Sequence, residues 1–252
     1  LAVVFGLTVL KNYGPNSGMG GLYILFILGA VVAGVILNAI MFEIGHVLGA
    51  KLGGYEILSV CVLGLTFYKE GEKKNVKFKG FDGLTGETKI LPKNNEKKPS
   101  NPNYFLLGGT TWFVIELIVV MTLYFVFTSF KKTGWSNAAY FLLTVLVIGG
   151  MLFIYSILPF KLDTTNDGYS LRMVSNPKNK EAFNELLRVE YAIAQRESNV
   201  EIKTFTEITN FTADLNLNKV YLLLDKKDYQ EAEKLLDIIL SGGKGVSHKV
   251  YL

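Results

Sequence analysis

The chain has 252 residues, 50% of them hydrophobic, and its mean hydropathy is +0.30. Soluble domains of this size are seldom so apolar, and the apolar residues form long blocks ahead of a polar C-terminal third, so we predict an α-helical multi-pass membrane protein with a soluble tail. The net charge of +4 is small and the lysines cluster in loops beside apolar segments, which argues against a nucleic-acid partner and favours the lipid bilayer.

The first apolar segment long enough to cross a membrane runs from about residue 22 to 52. At about 1.5 Å per residue, such a helix spans the roughly 30 Å of bilayer hydrocarbon, and Gly53-Gly54 ends it. Residues 1–10 are apolar but short and begin without methionine, so we expect a trimmed N-terminus. Cys61 is the only cysteine, which excludes an internal disulfide.

The region that follows the first span has the character of strands. Residues 55–68 are rich in Val, Leu and Phe but too few for a spanning helix. Within residues 76–80, Val76, Phe78 and Gly80 alternate with two lysines. Residues 88–91 have the composition of another strand. We predict a small sheet over residues 55–92 that lies near the membrane or dips into it.

Two further spans are predicted, at residues 104–130 and at about 137–160, joined by a polar loop. Gly108-Gly109 predicts a point of close helix packing in the second span. Nine lysines lie between Lys69 and Asn103 and two in the loop 131–136, so the lysine-rich side is predicted to be cytoplasmic. The first and third spans are then predicted to end on the cytoplasmic side, and the tail is predicted to be cytoplasmic.

The tail begins after the last span, and we divide the chain into a membrane core, 1–176, and a helical tail, 177–252. Residues 180–196 have helical periodicity, and residues 217–240 predict a helical hairpin. The second half of this hairpin resembles part of a tetratricopeptide repeat. We favour a plain helical hairpin over such a repeat, because one repeat needs neighbours to bury its faces.

The strongest candidate for a catalytic motif is Phe42-Glu43-Ile44-Gly45-His46, in the last third of the first span. It differs by one residue from His-Glu-x-x-His, in which two histidines at i and i+4 share a helix face and bind zinc. The glutamate of that motif is the general base for a zinc-bound water. A Glu-x-x-His pair is often a plain surface pair, but a carboxylate inside an apolar run is costly and usually functional.

A second group of carboxylates follows the third span, at its predicted cytoplasmic end. Asp163 and Asp167 lie in the sequence Leu162-Asp163-Thr164-Thr165-Asn166-Asp167-Gly168. On their own they are typical of a solvated turn. Their significance depends on the first motif, which is predicted to lie on the same side of the membrane.

Together, the two motifs resemble the site-2 protease family of intramembrane zinc metalloproteases. That family pairs His-Glu-x-x-His on one membrane helix with an Asp-Gly motif on a later one. The resemblance covers about residues 22–175 and implies a three-helix catalytic core with a small membrane-associated β element. It implies Zn²⁺ as cofactor and hydrolysis of a peptide bond in or near a transmembrane segment of a protein or peptide substrate, as in regulated intramembrane proteolysis.

The resemblance also implies roles for individual residues. Glu43 is the implied general base, His46 a zinc ligand, and one aspartate a further ligand. We favour Asp167, because glycine follows it as in the family pattern, and Asp163 is the alternative. Many family members carry Asn-x-x-Pro before the aspartate, and Ser156 occupies the Asn position here. The run 55–68 resembles the family's membrane-dipping hairpin, which is thought to hold unwound substrate by strand addition.

Phe42 occupies the position of the first histidine ligand and changes the expected activity. Its ring offers no lone pair, and the only other histidine, His248, lies in the remote tail. We therefore expect weak or absent zinc binding and impaired catalysis in this form. The chain is either a natural pseudoprotease or a protein in which the histidine was replaced to trap uncleaved substrate.

Two other classes of function stay open. The chain could serve as a non-catalytic adaptor that binds membrane segments, or as a transporter with Glu43 and Glu116 in its polar path. Only the protease hypothesis explains why Asp167-Gly168 follows a motif one residue away from His-Glu-x-x-His. The expected location is a bacterial cell membrane. Substrate identity and oligomeric state are not specified by the sequence.

Overall fold

The computed structural model describes residues 20–70, 73–78, 80, 85–93, 99–129, 133–159, 165–197 and 200–242. Within these residues the chain is mostly helical and contains one small sheet. In chain order the elements are α1 (Gly20–Leu52), β1 (Tyr55–Val62), β2 (Leu65–Glu70), β3 (Lys73–Phe78), β4 (Gly86–Pro92), α2 (Pro102–Ser129), α3 (Thr133–Ile157), α4 (Asp167–Val174), α5 (Pro177–Ala194), α6 (Asn210–Asp225) and α7 (Tyr229–Ser241). The short helix α4 is not predicted from the sequence.

Three of the helices are long and apolar enough to cross a membrane, over Leu25–Leu52, Pro102–Ser129 and Ala138–Ile157. They are hydrophobic on all sides, which is the pattern of a membrane span and not of a helix on a soluble core. Their outer surfaces carry exposed large apolar side chains, among them Leu25, Leu28, Ile118, Phe125, Met151 and Ile154. The prediction of three such helices is confirmed, and residues 1–10 lie outside the described part of the chain.

Helices α1 and α2 approach each other through glycines. A Cβ atom added to Gly45 would lie 2.8 Å from the carbonyl carbon of Gly108, and one added to Gly108 would overlap the Gly45 carbonyl oxygen. One turn further along α1, a Cβ on Gly49 would overlap the Tyr104 carbonyl oxygen. Small residues at such positions let two backbones pack closely in a membrane. The close-packing role predicted for Gly108 is confirmed.

Helix α3 is attached to the other side of α1 by a buried amide. The Asn38 side chain donates to the Val145 carbonyl across the interface at 3.0 Å and to the Gly34 carbonyl within α1 at 2.8 Å. A polar group satisfied in this way is stable in an apolar bundle, where an unpaired one would be costly. Asn38 therefore fixes α3 against α1 near the candidate site.

The predicted sheet over residues 55–92 is confirmed as four antiparallel strands in the order β3-β2-β1-β4. β1 and β2 are joined by a two-residue turn, Leu63 and Gly64, both with positive φ, which suits the twist of a tight hairpin. The sheet runs beside the last turns of α1. Thr88 on β4 contacts Glu43 on α1. Two residues further along β4, Ile90 packs with Ala50, which is closer to the C-terminal end of α1.

The first tail helix, α5, packs against the core. The Tyr55 hydroxyl donates to Asn184 Oδ1 at 2.5 Å, and the Asn184 amide donates to the Ser100 carbonyl at 2.8 Å. Burial raises the pKa of the Tyr55 phenol, which keeps it protonated as a donor. Leu187 adds an apolar contact with the cluster around Ala50 and Tyr55. Helices α6 and α7 form the predicted hairpin, whereas the boundary at residue 177 and the tetratricopeptide likeness stay predictions.

We expect Gly108→Ala to destabilise the protein, because its methyl group would overlap the α1 backbone. Overpacking of this kind costs about 1–3 kcal/mol. The measurement is the unfolding midpoint in detergent. Gly150→Ala is the matched control: nothing lies within 4 Å of a Cβ at that helical position, and alanine favours a helix by about 1 kcal/mol over glycine. Equal stability of the two variants would contradict the close contact of α1 with α2.

Candidate functional site

The residues singled out from the sequence surround one cavity of about 240 Å³. Phe42, Glu43 and His46 line it from α1, and Asp167 lines it from the start of α4. Further walls come from the start of β4, from Phe105 on α2 and from Tyr155 and Ser156 at the end of α3. Asp163, the alternative ligand, lies outside the described residues.

His46 is held in one orientation by the residues around it. It is 5% exposed, with the Phe42 ring edge-on at 4.8 Å and the Phe105 ring at 5.0 Å between centroids. Its Nδ1 lies 3.0 Å from the Phe105 carbonyl oxygen, which can only accept, so Nδ1 carries the proton. Nε2 then faces the cavity, 3.4 Å from Asp167 Oδ2.

Asp167 reaches this position because α4 begins with it. Asn166 caps the helix: its Oδ1 accepts from the Tyr169 amide at 3.0 Å, and its Nδ2 donates to the Tyr155 and Leu158 carbonyls at the end of α3. The Ser156 hydroxyl donates to Asp167 Oδ2 at 2.9 Å. Asn166, which on its own is typical of a turn, is a helix cap that joins α4 to α3.

Gly168 has a steric reason to follow Asp167. A Cβ atom at this position would lie 2.8 Å from the Ser156 carbonyl oxygen and would overlap that of Ile157. A larger residue would push α4 away from the end of α3 and move the aspartate out of the cavity wall. The Asp-Gly pair therefore has a structural basis in this chain.

Glu43 is 3% exposed and is held by two threonines of the sheet region. Thr88 on β4 donates to Oε2 at 2.6 Å, and Thr85, just before β4, donates to Oε1 at 3.3 Å. Neither threonine is predicted from the sequence as a site residue. Their only sequence signal is the placement of two hydroxyl side chains in the predicted strand region, which does not identify their partner.

An edge strand of the described sheet forms one wall of the cavity. β4 pairs only with β1 in the described sheet, and Thr85, Gly86, Glu87 and Thr88 line the cavity in succession. An edge strand has unpaired backbone groups to which an extended peptide can add. The strand beside the site is thus β4, whereas the run 55–68, compared above with the family hairpin, forms β1 and most of β2.

Zinc fits this set of residues only in part. Two ligands of a tetrahedral zinc ion, with bonds of about 2.1 Å, lie about 3.4 Å apart, which matches His46 Nε2 and Asp167 Oδ2. A catalytic zinc needs a third protein ligand, and Phe42 offers none. Among the described residues no group of three His, Cys, Asp or Glu side chains is placed to hold a metal. The residues that the structure describes therefore do not fit a catalytic zinc ion.

Glu116 lies apart from this site. It is half-buried on α2 and lines a second, small cavity of about 10 Å³ together with Asn38 and Phe42. Phe42 and Leu152 belong to the walls of both cavities. Glu43 and Glu116, the two carboxylates of the transporter hypothesis, therefore open into different cavities.

Comparisons with protein-family models, with curated proteins and with solved structures find no match to this chain. The resemblance to the site-2 proteases thus stays a prediction, based on the two sequence motifs.

We expect Thr88→Val to lower stability by about 1–3 kcal/mol, because it removes the shorter hydrogen bond to a buried carboxyl group. In a Glu43→Gln background the stability loss caused by Thr88→Val should differ, because the two side chains interact directly. A double-mutant cycle of unfolding midpoints measures this coupling.

Thr66→Val is the matched control. Thr66 is a buried threonine of the same sheet, and its hydroxyl has no hydrogen-bond partner among the described residues. Its replacement should be neutral or stabilising. Additive effects of Thr88→Val and Glu43→Gln would contradict the contact between β4 and α1.

Proposed function

We propose that this chain is a multi-pass membrane protein built as an intramembrane metalloprotease of the site-2 type, with a transmembrane protein or peptide as substrate. In this form it is catalytically impaired, because Phe42 replaces a zinc ligand. The single observation that carries the proposal is the convergence of Glu43, His46 and Asp167 on one cavity beside Phe42. Asp167 lies 121 positions after His46 in the sequence, and a chance pair of motifs would not require the two to meet.

The position of the site supports a substrate that comes from the membrane. Phe42, Glu43 and His46 lie in a helix that is apolar and long enough to cross a bilayer, and β4, at the edge of the described sheet, borders the cavity. A substrate segment that unwinds could pair with this edge and pass the cavity in extended form. We further propose a bacterial cell membrane as the location, with the tail in the cytoplasm.

Phe42 is accommodated without crowding, which supports the second candidate function, a non-catalytic adaptor. Gly109 faces its ring, and a Cβ at that position would come within 2.8 Å of Phe42 Cζ. The ring fills its space and contacts His46 edge-on. A chain that keeps the cavity and the edge strand but lacks one metal-coordinating side chain could bind membrane segments without cutting them.

We expect Phe42→His to raise bound zinc from little or none to about one ion per chain, because it supplies the third protein ligand. Elemental analysis of both purified forms measures this. The same variant should cleave a co-expressed single-span substrate, detected as a gel shift. Adding Glu43→Gln should abolish cleavage, since an amide cannot accept the proton that a general base must take.

Two aspartate variants identify the remaining ligand in the Phe42→His background. Asp167→Asn should strongly reduce zinc binding and cleavage, whereas Asp163→Asn should do so only if Asp163 is the ligand. Stoichiometric zinc in the unmodified chain would refute the role assigned to Phe42. A Phe42→His chain that binds zinc and captures substrate but never cleaves it would favour the adaptor.

The proposed topology has its own test. Lys73 and the tail should share the cytoplasmic side, and the loop between α2 and α3 should face the other side. In a Cys61→Ala background, cysteines introduced at positions 74 and 132 are labelled from each side of intact membranes. Labelling of both positions from the same side would refute the three-span arrangement.

A further inference from the structure

The small cavity behind Phe42 contains two groups that can accept hydrogen bonds and receive none. Asn38 is 3% exposed, and both hydrogen bonds of its side chain use Nδ2, which donates to the carbonyls of Gly34 and Val145. Its Oδ1 accepts no hydrogen bond from the described residues and lies beside Gly149, where an added Cβ would overlap it. Asn38 and Gly149 both line the cavity of about 10 Å³, so this oxygen faces the cavity.

Glu116 carries the second acceptor group. It is half-buried on α2, in a segment long and apolar enough to cross a membrane, and it lines the same cavity. Among the described residues its carboxyl group has no hydrogen bond and no charged neighbour. A carboxylate in an apolar bundle is costly unless it is paired, and such residues are usually functional. The cavity therefore presents two acceptor groups that lack a donor.

Phe42 separates this cavity from the candidate site, and its ring lines both. The outer end of the ring is directed at the candidate site, because a Cβ added to Gly109 would lie 2.8 Å from Phe42 Cζ and 2.9 Å from His46 Nε2. Asn38, four residues earlier on the same face of α1, lies in the wall of the other cavity. A flat ring at position 42 therefore contacts both cavities.

A histidine at position 42 would use both sides of this arrangement. In one of its two ring orientations, Nε2 points at the candidate site and Nδ1 faces the small cavity. A histidine that binds a metal through one nitrogen almost always donates its other ring N–H to a carboxylate, a carbonyl or a water. Asn38 Oδ1 and Glu116 are acceptors of this kind, and the cavity has about the volume of one water that could bridge them. Phenylalanine has no N–H, which explains why both acceptors are unpaired.

We propose that Asn38 and Glu116 are positioning residues for a histidine at position 42 and that they accept its Nδ1–H through one bridging water. The chain thus retains the support of a ligand that it does not carry. This role rests on the proposed function, since it takes position 42 as that of a zinc ligand. It is compatible with the packing role of Asn38, because the attachment of α3 uses the amide nitrogen and the positioning role uses the oxygen.

The first measurement is made without metal. The chain has two histidines, His46 and His248, so a Phe42→His chain labelled with ¹⁵N-histidine gives three imidazole signals to assign. We expect the imidazole at position 42 to be the Nδ1–H tautomer, and Glu116→Leu in this background should reduce the population of that tautomer several-fold. Glu116→Gln keeps an acceptor oxygen and should restore most of it. An Nε2–H tautomer, or a tautomer that Glu116→Leu leaves unchanged, would overturn the assignment.

Zinc affinity is the second measurement, made in detergent by competition with a chromogenic chelator. Removal of the hydrogen-bond partner of a ligand lowers metal affinity by about 10–100-fold. We expect a loss of this size for Glu116→Leu in the Phe42→His background and a smaller loss for Glu116→Gln. Equal affinity of the three forms would overturn the positioning role while the zinc itself supports the proposed function. No zinc binding, together with a tautomer that depends on Glu116, would refute the proposed function and support the hydrogen bond.

The unmodified chain supplies the matched control. With Phe42 in place Glu116 has no donor to pair with, so Glu116→Leu should leave the unfolding midpoint unchanged or raise it. A clear loss of stability would show a structural role and overturn the inference.

A second variant covers the case in which Phe42→His does not fold. Phe42→Ala leaves room for a free ring, and ¹⁵N-imidazole is added as the probe. Imidazole should bind several-fold more weakly when Glu116→Leu is combined with Phe42→Ala. Equal binding to the single and the double variant would overturn the assignment.

Discussion

The close approach of α1 and α2 at Gly45 and Gly108 is the contact on which the geometry of the site depends. A Cβ added to Gly108 would lie 3.2 Å from His46 Cα, and Phe105 precedes Gly108 by three residues, about one helical turn. Both residues therefore lie at the contact between the two helices. Only because the two backbones nearly touch does the Phe105 carbonyl reach His46 Nδ1. That hydrogen bond fixes the tautomer and directs Nε2 at Asp167. In a membrane, where the surrounding lipid is as apolar as the side chains, such packing takes over the role of hydrophobic burial.

Helix α3 is also attached to α1, and it positions the far side of the cavity. Asn38 lies one turn before Phe42 and two turns before His46, on one face of α1, and its amide attaches α3 at Val145. The end of α3 then supplies Ser156, which donates to Asp167. The aspartate is thus positioned by a chain of contacts that begins on the helix carrying the histidine, which explains how residues 121 positions apart lie 3.4 Å from each other.

The sequence predicted the parts of this arrangement that depend on long apolar runs and on short motifs. α1, α2 and α3 follow from segment length, and Glu43, His46 and Asp167 follow from two motifs. The threonines that hold Glu43 could not be predicted, because their role depends on the alignment of β4 along α1, a contact between segments 42 to 45 residues apart. Helix α4 was missed because its eight residues are too few for a clear periodicity and its cap, Asn166, is equally typical of a turn.

Phe42 separates two properties of the site that are usually found together: the packing of the cavity wall and a full set of metal-coordinating side chains. Its ring fits beside Gly109 and against His46, so the packing of the cavity wall does not depend on a metal ion. The hydrogen bonds of Glu43, His46 and Asp167 are likewise made entirely within the protein. Because these contacts are satisfied without a metal, the proposed replacement of a zinc ligand by Phe42 would remove a metal donor and leave the cavity and the edge strand β4 in place. Under the proposed function, such a site could lose hydrolysis and keep recognition, since metal binding and the cavity walls depend on different atoms.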